Sequence, residues 1–226
     1  MRLVFFVICA DVNCFFLLLD VPEPIAFYPL NECYEAAEEE NRKPKGILGD
    51  VAITSGPYNE PGGAYMFYGT VSSFIKFPNI GGLDTRFSIT LMCWVQYEID
   101  FASLFSYGKD GDGFQIWIVL EIVMLSILQS NPKEYLLLTT EAIVPKGLWV
   151  HFAATYDHNT ALWSLFINGH LSATVNGFHD STNAGEVRIG PTNDGDHYFE
   201  GKIAEIKVYD VALKQAHIQT SIIQGN

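Results

Sequence analysis

Between Phe87 and Gln96 the chain reads FSITLMCWVQ, which puts Phe87, Ile89, Leu91, Cys93 and Val95 on one side of an extended backbone. Ser88, Thr90, Met92, Trp94 and Gln96 fall on the other side. A period of two fits a half-buried strand; in a helix, apolar positions recur every three to four residues. Strand-like runs also cover 25–30, 46–54, 64–68, 73–77, 102–107, 114–119, 148–156, 161–167, 170–175, 186–189 and 201–209. Turn formers punctuate them: GPYNEPGG at 56–63, KDGDG at 109–113, DHNT at 157–160 and Asn168-Gly169. Asn-Gly accepts the positive φ of a type I′ hairpin and is a strong local hairpin signal. Leu213–Ile223 has helical spacing and reads as a short closing helix. Many short strands between turn signals indicate an all-β sandwich.

The stretch FQIWIVLEIVMLSIL from Phe114 to Leu128 is nearly all apolar. Two buried strands turning at Leu120-Glu121 are expected, although that turn lacks the Gly or Asn a tight hairpin prefers. A buried helix is the alternative, which periodicity does not separate from it. Trp117 is assigned to the core on this basis, and Trp163 to the core beside Leu165 and Ile167. The segment 31–45 carries Glu32, Glu35, Glu38, Glu39 and Glu40, then Arg42, Lys43 and Lys45. It reads as a solvated loop or helical turn, or as a rim that attracts cations.

Residues 1–20 are set apart as a secretory leader, with Arg2 as the positive start and apolar runs after it. Asp11 and Asn13 interrupt the apolar run too soon for a stable membrane span. A mis-assigned start or an extra edge strand is the alternative. The folding unit is then one domain over residues 21–226, a secreted, extracellular one. Without the leader, Cys33 and Cys93 remain. They are compatible with one disulfide, while the side of its strand that Cys93 occupies suits a buried thiol equally well. With 49% hydrophobic residues the chain is not disordered, and its net charge of −13 disfavours binding to the nucleic-acid backbone.

Seven segments, in order, resemble the laminin-G-like domains of the concanavalin A-like lectin/glucanase superfamily, near its pentraxin-like branch. They are IAFYPL at 25–30, GGAYMFYG at 62–69 with SSFIKFP at 72–78, FSITLMCWV at 87–95, WVHFAATYD at 149–157, LFINGHL at 165–171 and FEGKIAEIKVYDVAL at 199–213. The resemblance covers about residues 25–223 and implies a jelly-roll sandwich of two antiparallel sheets with roughly 12–14 strands. It also implies a secreted binding or adhesion module for a glycan or an extracellular protein. Two acidic positions common in such domains are changed here, to Tyr68 and to Ala204 within Ile203-Ala204-Glu205.

Retaining glycosidases on this fold resemble one another in a Glu-x-Asp-x-x-Glu strand, which brings two carboxylates to the short separation the chemistry needs. The chain has no such run, and neither a Gly-x-Ser-x-Gly elbow nor an HExxH helix. A non-catalytic domain is therefore expected. A glycosidase or lyase relative that has lost its carboxylates and a structural matrix component are the alternatives. His151 is read as structural. Calcium is the one cofactor to weigh, since it takes six to eight oxygen ligands. Candidate ligands are Asn193, Asp194 and Asp196 in the loop PTNDGD, with Asn31 and Glu205, which approach each other if the terminal strands pair. Asp110 and Asp112, in the turn KDGDG, are candidate ligand-binding residues, with Trp94 and Trp149, whose rings lie opposite the apolar sides of their strands.

Overall fold

A computed structural model describes residues 5–8, 15–18, 20–78, 83, 85, 87–108, 113–130, 133–178, 186–190 and 197–224. The strands are β1 (Phe5–Ile8), β2 (Phe15–Leu18), β3 (Ala26–Tyr28), β4 (Ile47–Leu48), β5 (Val51–Thr54), β6 (Ala64–Tyr68) and β7 (Ile75–Phe77). They continue with β8 (Ile89–Tyr97), β9 (Phe101–Gly108), β10 (Gly113–Val119), β11 (Ile122–Ser130) and β12 (Lys133–Thr139). The last are β13 (Val150–Asp157), β14 (Leu162–Ile167), β15 (His170–Asn176), β16 (Glu186–Ile189) and β17 (Glu200–Tyr209), followed by the helix α1 (Gln215–Gln224).

Among the described residues, fifteen of these seventeen strands form the expected jelly-roll sandwich, one more than the upper expectation. One antiparallel sheet has seven strands in the order β12-β11-β10-β9-β16-β7-β4; the other has eight, ordered β15-β14-β13-β8-β17-β6-β5 with β3 beside β17. Among the described residues, β1 and β2 pair with each other and with no other strand. The alternation that marks β8 in the sequence puts Ile89, Leu91, Cys93 and Val95 into the core between the sheets. Trp163 is fully buried there; its ring meets Phe114 edge-on at 5.7 Å and its Nε1 donates to the Phe178 carbonyl at 2.9 Å. Each such side chain contributes about 1.5–3 kcal/mol by leaving water.

The apolar stretch 114–128 forms two strands, not a helix, and turns at Leu120 (φ 49°) and Glu121 (φ 66°). Left-handed backbone at non-glycine residues costs roughly 1–2 kcal/mol each. The unbroken register from Gly113↔Leu128 to Val119↔Ile122 offsets it. A third strand, β12, pairs with β11 and extends the sheet.

Three local expectations change, and for the cysteines the thiol alternative holds. Trp117 is half-buried on the outer side of β10, edge-on to His197 at 5.5 Å, because the core positions of that strand are Phe114, Ile116 and Ile118. Phe87 lies outside β8, is 62% exposed and packs against His158. Glu38 is no solvated loop carboxylate: it is fully buried and accepts from the Arg42 guanidinium at 2.9 Å and the Arg42 backbone at 2.7 Å. Cys33 and Cys93 are free thiols, the first exposed and the second in the core, where burial pushes it up to about 12.

The eight-stranded sheet carries α1 on its outer face. Met92, Ala153, Phe166, Tyr209, Leu213 and Ile218 form a second apolar cluster beneath the helix. Thr90 sets the approach of the chain: its hydroxyl donates to Val211 O at 2.7 Å and accepts from Leu213 N at 2.9 Å. Gly201 (φ 145°) lets β17 pass close to β8, since a Cβ there would stand 2.0 Å from Gln96 O.

Candidate functional site

Beside α1, the same outer face holds a polar cluster. Met92, Trp94 and Gln96 alternate onto this side of β8, and Trp94 sits across from His151 on β13 and Ala204 on β17. Between Ala204 and Lys207 the β17–β8 register slips by one residue. The slip is a bulge, with Glu205 at φ 52°. A bulge of this kind returns an extra side chain to a face that strict alternation would deny it. Glu205 thereby joins Lys207: Nζ lies 3.7 Å from Glu205 Oε2, and the two side chains are 13% and 17% exposed. The bulge also marks a change of neighbour, since β17 pairs with β6 through Ile203 and with β3 from Ile206.

Lys207 Nζ also donates to Ser221 Oγ on α1 at 3.2 Å and stands 5.0 Å above the Phe27 ring. The pair is poorly solvated. Burial raises Glu205 above the ordinary carboxylate range against the pull of Lys207, with Glu60 adding to the rise. Burial lowers Lys207, with Glu205 opposing. His151 is pushed down to about 3, by burial first and the Lys207 charge second, so it is neutral near pH 7. Its backbone is fixed by Asn168, whose Oδ1 accepts from His151 N at 2.9 Å while its N–H donates to His151 O at 2.7 Å.

Tyr58, in the 56–63 loop, roofs the cluster. Its ring meets Trp94 edge-on at 5.6 Å, and its hydroxyl donates to the Ile222 carbonyl on α1 at 3.2 Å. Burial, then the Glu205 charge, push the phenol up to about 12 against a pull from the Trp94 N–H. That N–H nonetheless closes no hydrogen bond. Trp94 Nε1, Gln96 Oε1 and His151 Nδ1 are all buried and without a partner. Buried polar atoms are paired in the great majority of cases, so three orphans on neighbouring positions of one face mark a place where something else supplies partners.

Of the residues singled out in the sequence, the structure brings Trp94 and Glu205 to this one face. Trp149 lies half-buried at the head of β13, in a loop that Gln96 Nε2 ties down by donating to Gly147 O. The terminal strands do pair, and Glu205 N donates to Pro29 O at 3.2 Å. The Asn31 carboxamide oxygen, however, accepts from the backbone of Cys33 and Tyr34 at 3.1 and 2.9 Å, an Asx turn within its own loop. Asp110, Asp112, Asn193, Asp194 and Asp196 lie outside the described residues. Among the described residues no group of three His, Cys, Asp or Glu is arranged to hold a metal ion, and no helix is long and apolar enough to cross a membrane. Tyr58, Gln96, His151 and Lys207 carry no sequence signal, except that alternation already put Gln96 with Trp94.

Comparison with known proteins places this geometry in a family. The model of the Laminin_G_3 family, concanavalin A-like lectin/glucanases superfamily, matches residues 69–219. The chain belongs to that family. This laminin G-like domain is 26% identical over 128 residues to human pentraxin-related protein PTX3, a match covering 51% of the chain and 33% of that protein. The chain therefore spans a third of the length of that relative. Among solved structures, the fold is shared with domain 4 of AbnA, an extracellular arabinanase from Geobacillus stearothermophilus, in complex with arabinotriose. The TM-score is 0.68 at 21% identity, covering 89% of this chain and 98% of that one. The botulinum neurotoxin serotype D ligand binding domain in complex with N-acetylneuraminic acid aligns with a TM-score of 0.72 at 12% identity, over 89% of this chain and 51% of that one. The laminin G-like domain thus shares its architecture with binding domains.

Proposed function

We propose that the protein is a secreted, non-catalytic binding module whose outer-sheet site around Trp94 takes up part of a glycan. The observation that carries the reading is the set of three unpartnered buried polar atoms, Trp94 Nε1, Gln96 Oε1 and His151 Nδ1, beside aromatic rings. Sugars present this combination in complement, with apolar ring faces and hydroxyls that both donate and accept. The fold neighbours bound to arabinotriose and to N-acetylneuraminic acid support it by analogy. The chemistry of the site favours binding over hydrolysis. Glu205 is engaged with Lys207, and Glu60, the other carboxylate it feels, accepts the Tyr58 backbone N–H at 2.8 Å within its own loop.

A glycan array probed with the full chain, followed by calorimetry on the hits, tests this. Wild type should bind a defined set of sugars and W94A should lose at least roughly tenfold in affinity, as for removal of a buried anchor. A blank array, or hits that W94A retains in full, would sink the reading. One observation favours an extracellular protein as the alternative partner. A groove of about 540 Å³ separates the edge strands β12 and β15, lined among others by Leu137, Glu141 and Leu171. Exposed edge strands accept an added strand.

A further inference from the structure

We infer that β12 is an acceptor edge for a partner protein, which donates an extended, cation-bearing segment as an added strand between β12 and β15. The inference develops the protein partner named above. It stands apart from the glycan reading, since β15 and its groove lie three strands from β8 in the sheet order.

The backbone of β12 is arranged to take a strand. Thr140 N donates to Val123 O at 2.9 Å, which makes the next pair, Met124↔Thr139, a non-hydrogen-bonded one. Tyr135, Leu137 and Thr139, at every second position, therefore aim their N–H and C=O groups away from β11. Among the described residues, none of these groups has a hydrogen-bond partner. The register is unbroken from Ser130↔Lys133 to Met124↔Thr139. The edge is also apolar, with Tyr135 62% and Leu137 45% exposed.

Sheet edges are ordinarily blunted by charges, bulges or cover. The facing edge, β15, shows such devices. Ser172 is a bulge between Leu165↔Ala173 and Phe166↔Leu171. Its Oγ accepts from Glu141 N and Ala142 N at 3.2 and 3.1 Å, and Leu171 N donates to Gln215 Oε1 of α1 at 3.2 Å. Along residues 135–139, β12 has neither a bulge nor a hydrogen-bonded cover among the described residues.

The groove beside that edge sets the chemistry of the occupant. Successive side chains of an added strand point to opposite sides. One set meets Leu138, Ala173 and Val175 in the groove and is apolar; the other lies outside, beside Leu137 and Thr139. Glu141 is the one charged residue among the described lining, it is exposed, and no ion pair holds it there. Two cations belong to adjoining elements. Lys133 starts β12, eight positions from Glu141, which along an extended chain is roughly 25 Å. Lys214 precedes α1 and makes no ion pair with Glu141. Glu134, exposed beside Lys133, adds a further carboxylate to the edge. A Lys or Arg of the incoming segment therefore finds an unpaired carboxylate at Glu141. The net charge of −13 draws such a segment and opposes a second copy of this chain.

The test is calorimetry on the full chain. The probes are an acetylated, amidated peptide of alternating Thr and Val with a Lys at each end, its counterpart with Glu for Lys, and two lysine peptides N-methylated on every Val or on every Thr. The lysine peptide should bind at least roughly fivefold more tightly than the glutamate one, and E141K should erase that preference. One N-methylated peptide should lose binding and the other keep it, because an added strand aims alternate N–H groups at its neighbour. L137P removes one outward N–H, a change an edge strand accepts, and should weaken the lysine peptide roughly fivefold, the factor one hydrogen bond is worth. If L137P fails to fold, E141K and the N-methylated pair decide the matter. No binding at millimolar lysine peptide, equal losses from both N-methylations, or a lysine preference that E141K keeps would overturn the inference. A dimer in sedimentation that L137P dissolves would assign the edge to a second copy and overturn it too. A blank glycan array leaves this inference standing, and failure of the peptides leaves the glycan reading standing.

Discussion

Replacing Glu205 or Lys207 by Met, singly and together, separates the cost of burying their charges from the value of pairing them. At 3.7 Å the ions attract by about 4.5 kcal/mol for an effective dielectric of 20. Desolvation opposes that, and the structure shows which side prevails. Burial is the leading influence on both groups: Glu205 is raised despite its cation, and Lys207 is lowered despite its carboxylate. A pair of this kind is costly to break and cheap to remove altogether. E205M strands the ammonium with Ser221, the Phe27 ring and the charge of Glu39, and K207M strands the carboxylate beside Glu60. Each single change should cost about 2–3 kcal/mol, below the 3–5 kcal/mol of fully buried pairs because both side chains keep some exposure. The double variant should return to within about 1 kcal/mol of wild type, giving a coupling of at least about 3 kcal/mol. The positive φ at position 205 is common to Glu and Met, so backbone strain cancels. Urea unfolding followed by far-ultraviolet circular dichroism reads all four proteins. Additive losses, or singles below about 0.5 kcal/mol, would refute the reasoning.

Three further outcomes are expected. His151 is depressed to about 3 in the fold against its ordinary 6.5, so its contribution is complete above 6.5 and falls as pH drops toward 3; the slope approaches roughly 1.4 kcal/mol per pH unit, and H151Q should flatten it in unfolding titrations. Gly201→Ala should cost more than about 3 kcal/mol, because its Cβ would stand 2.0 Å from the Gln96 carbonyl oxygen; a midpoint shift in thermal unfolding of only a degree or two would contradict this. A chelator should leave sugar affinity unchanged within about twofold, since Glu205, already paired, falls short of the six to eight oxygens calcium takes; loss of binding in calorimetry with a chelator would place an ion at the site instead.

The strands were legible because alternation and turn chemistry are local. The period of β8 and the Asn168-Gly169 hairpin needed no partner to be recognised, and the glycine at 169 indeed takes φ 74°. The hairpin at Leu120-Glu121 carried no such chemistry, and it holds because of the long ladders around it. Trp117 was misplaced for a related reason: in a stretch where both faces are apolar, composition does not say which face is inside. Glu38 looked like one more acid in an acidic loop. What buries it is the approach of Phe27, from another segment, whose backbone N–H it accepts at 3.4 Å.

The sequence alone determined the all-β class, the order of the strands, the closing helix and the absence of a paired-carboxylate motif, because each is written in residues close together along the chain. Only the tertiary structure decided the site. Trp94, His151 and Lys207 come from three strands separated by 57 and 56 positions, and sheet pairing sets them side by side. Whether Glu205 shares their face depends on a one-residue slip in register, which no local preference of Ala204-Glu205-Ile206 specifies. A bulge is a compromise between two ladders, β17 with β8 on one side and with β6 then β3 on the other, and it exists only once those ladders have formed.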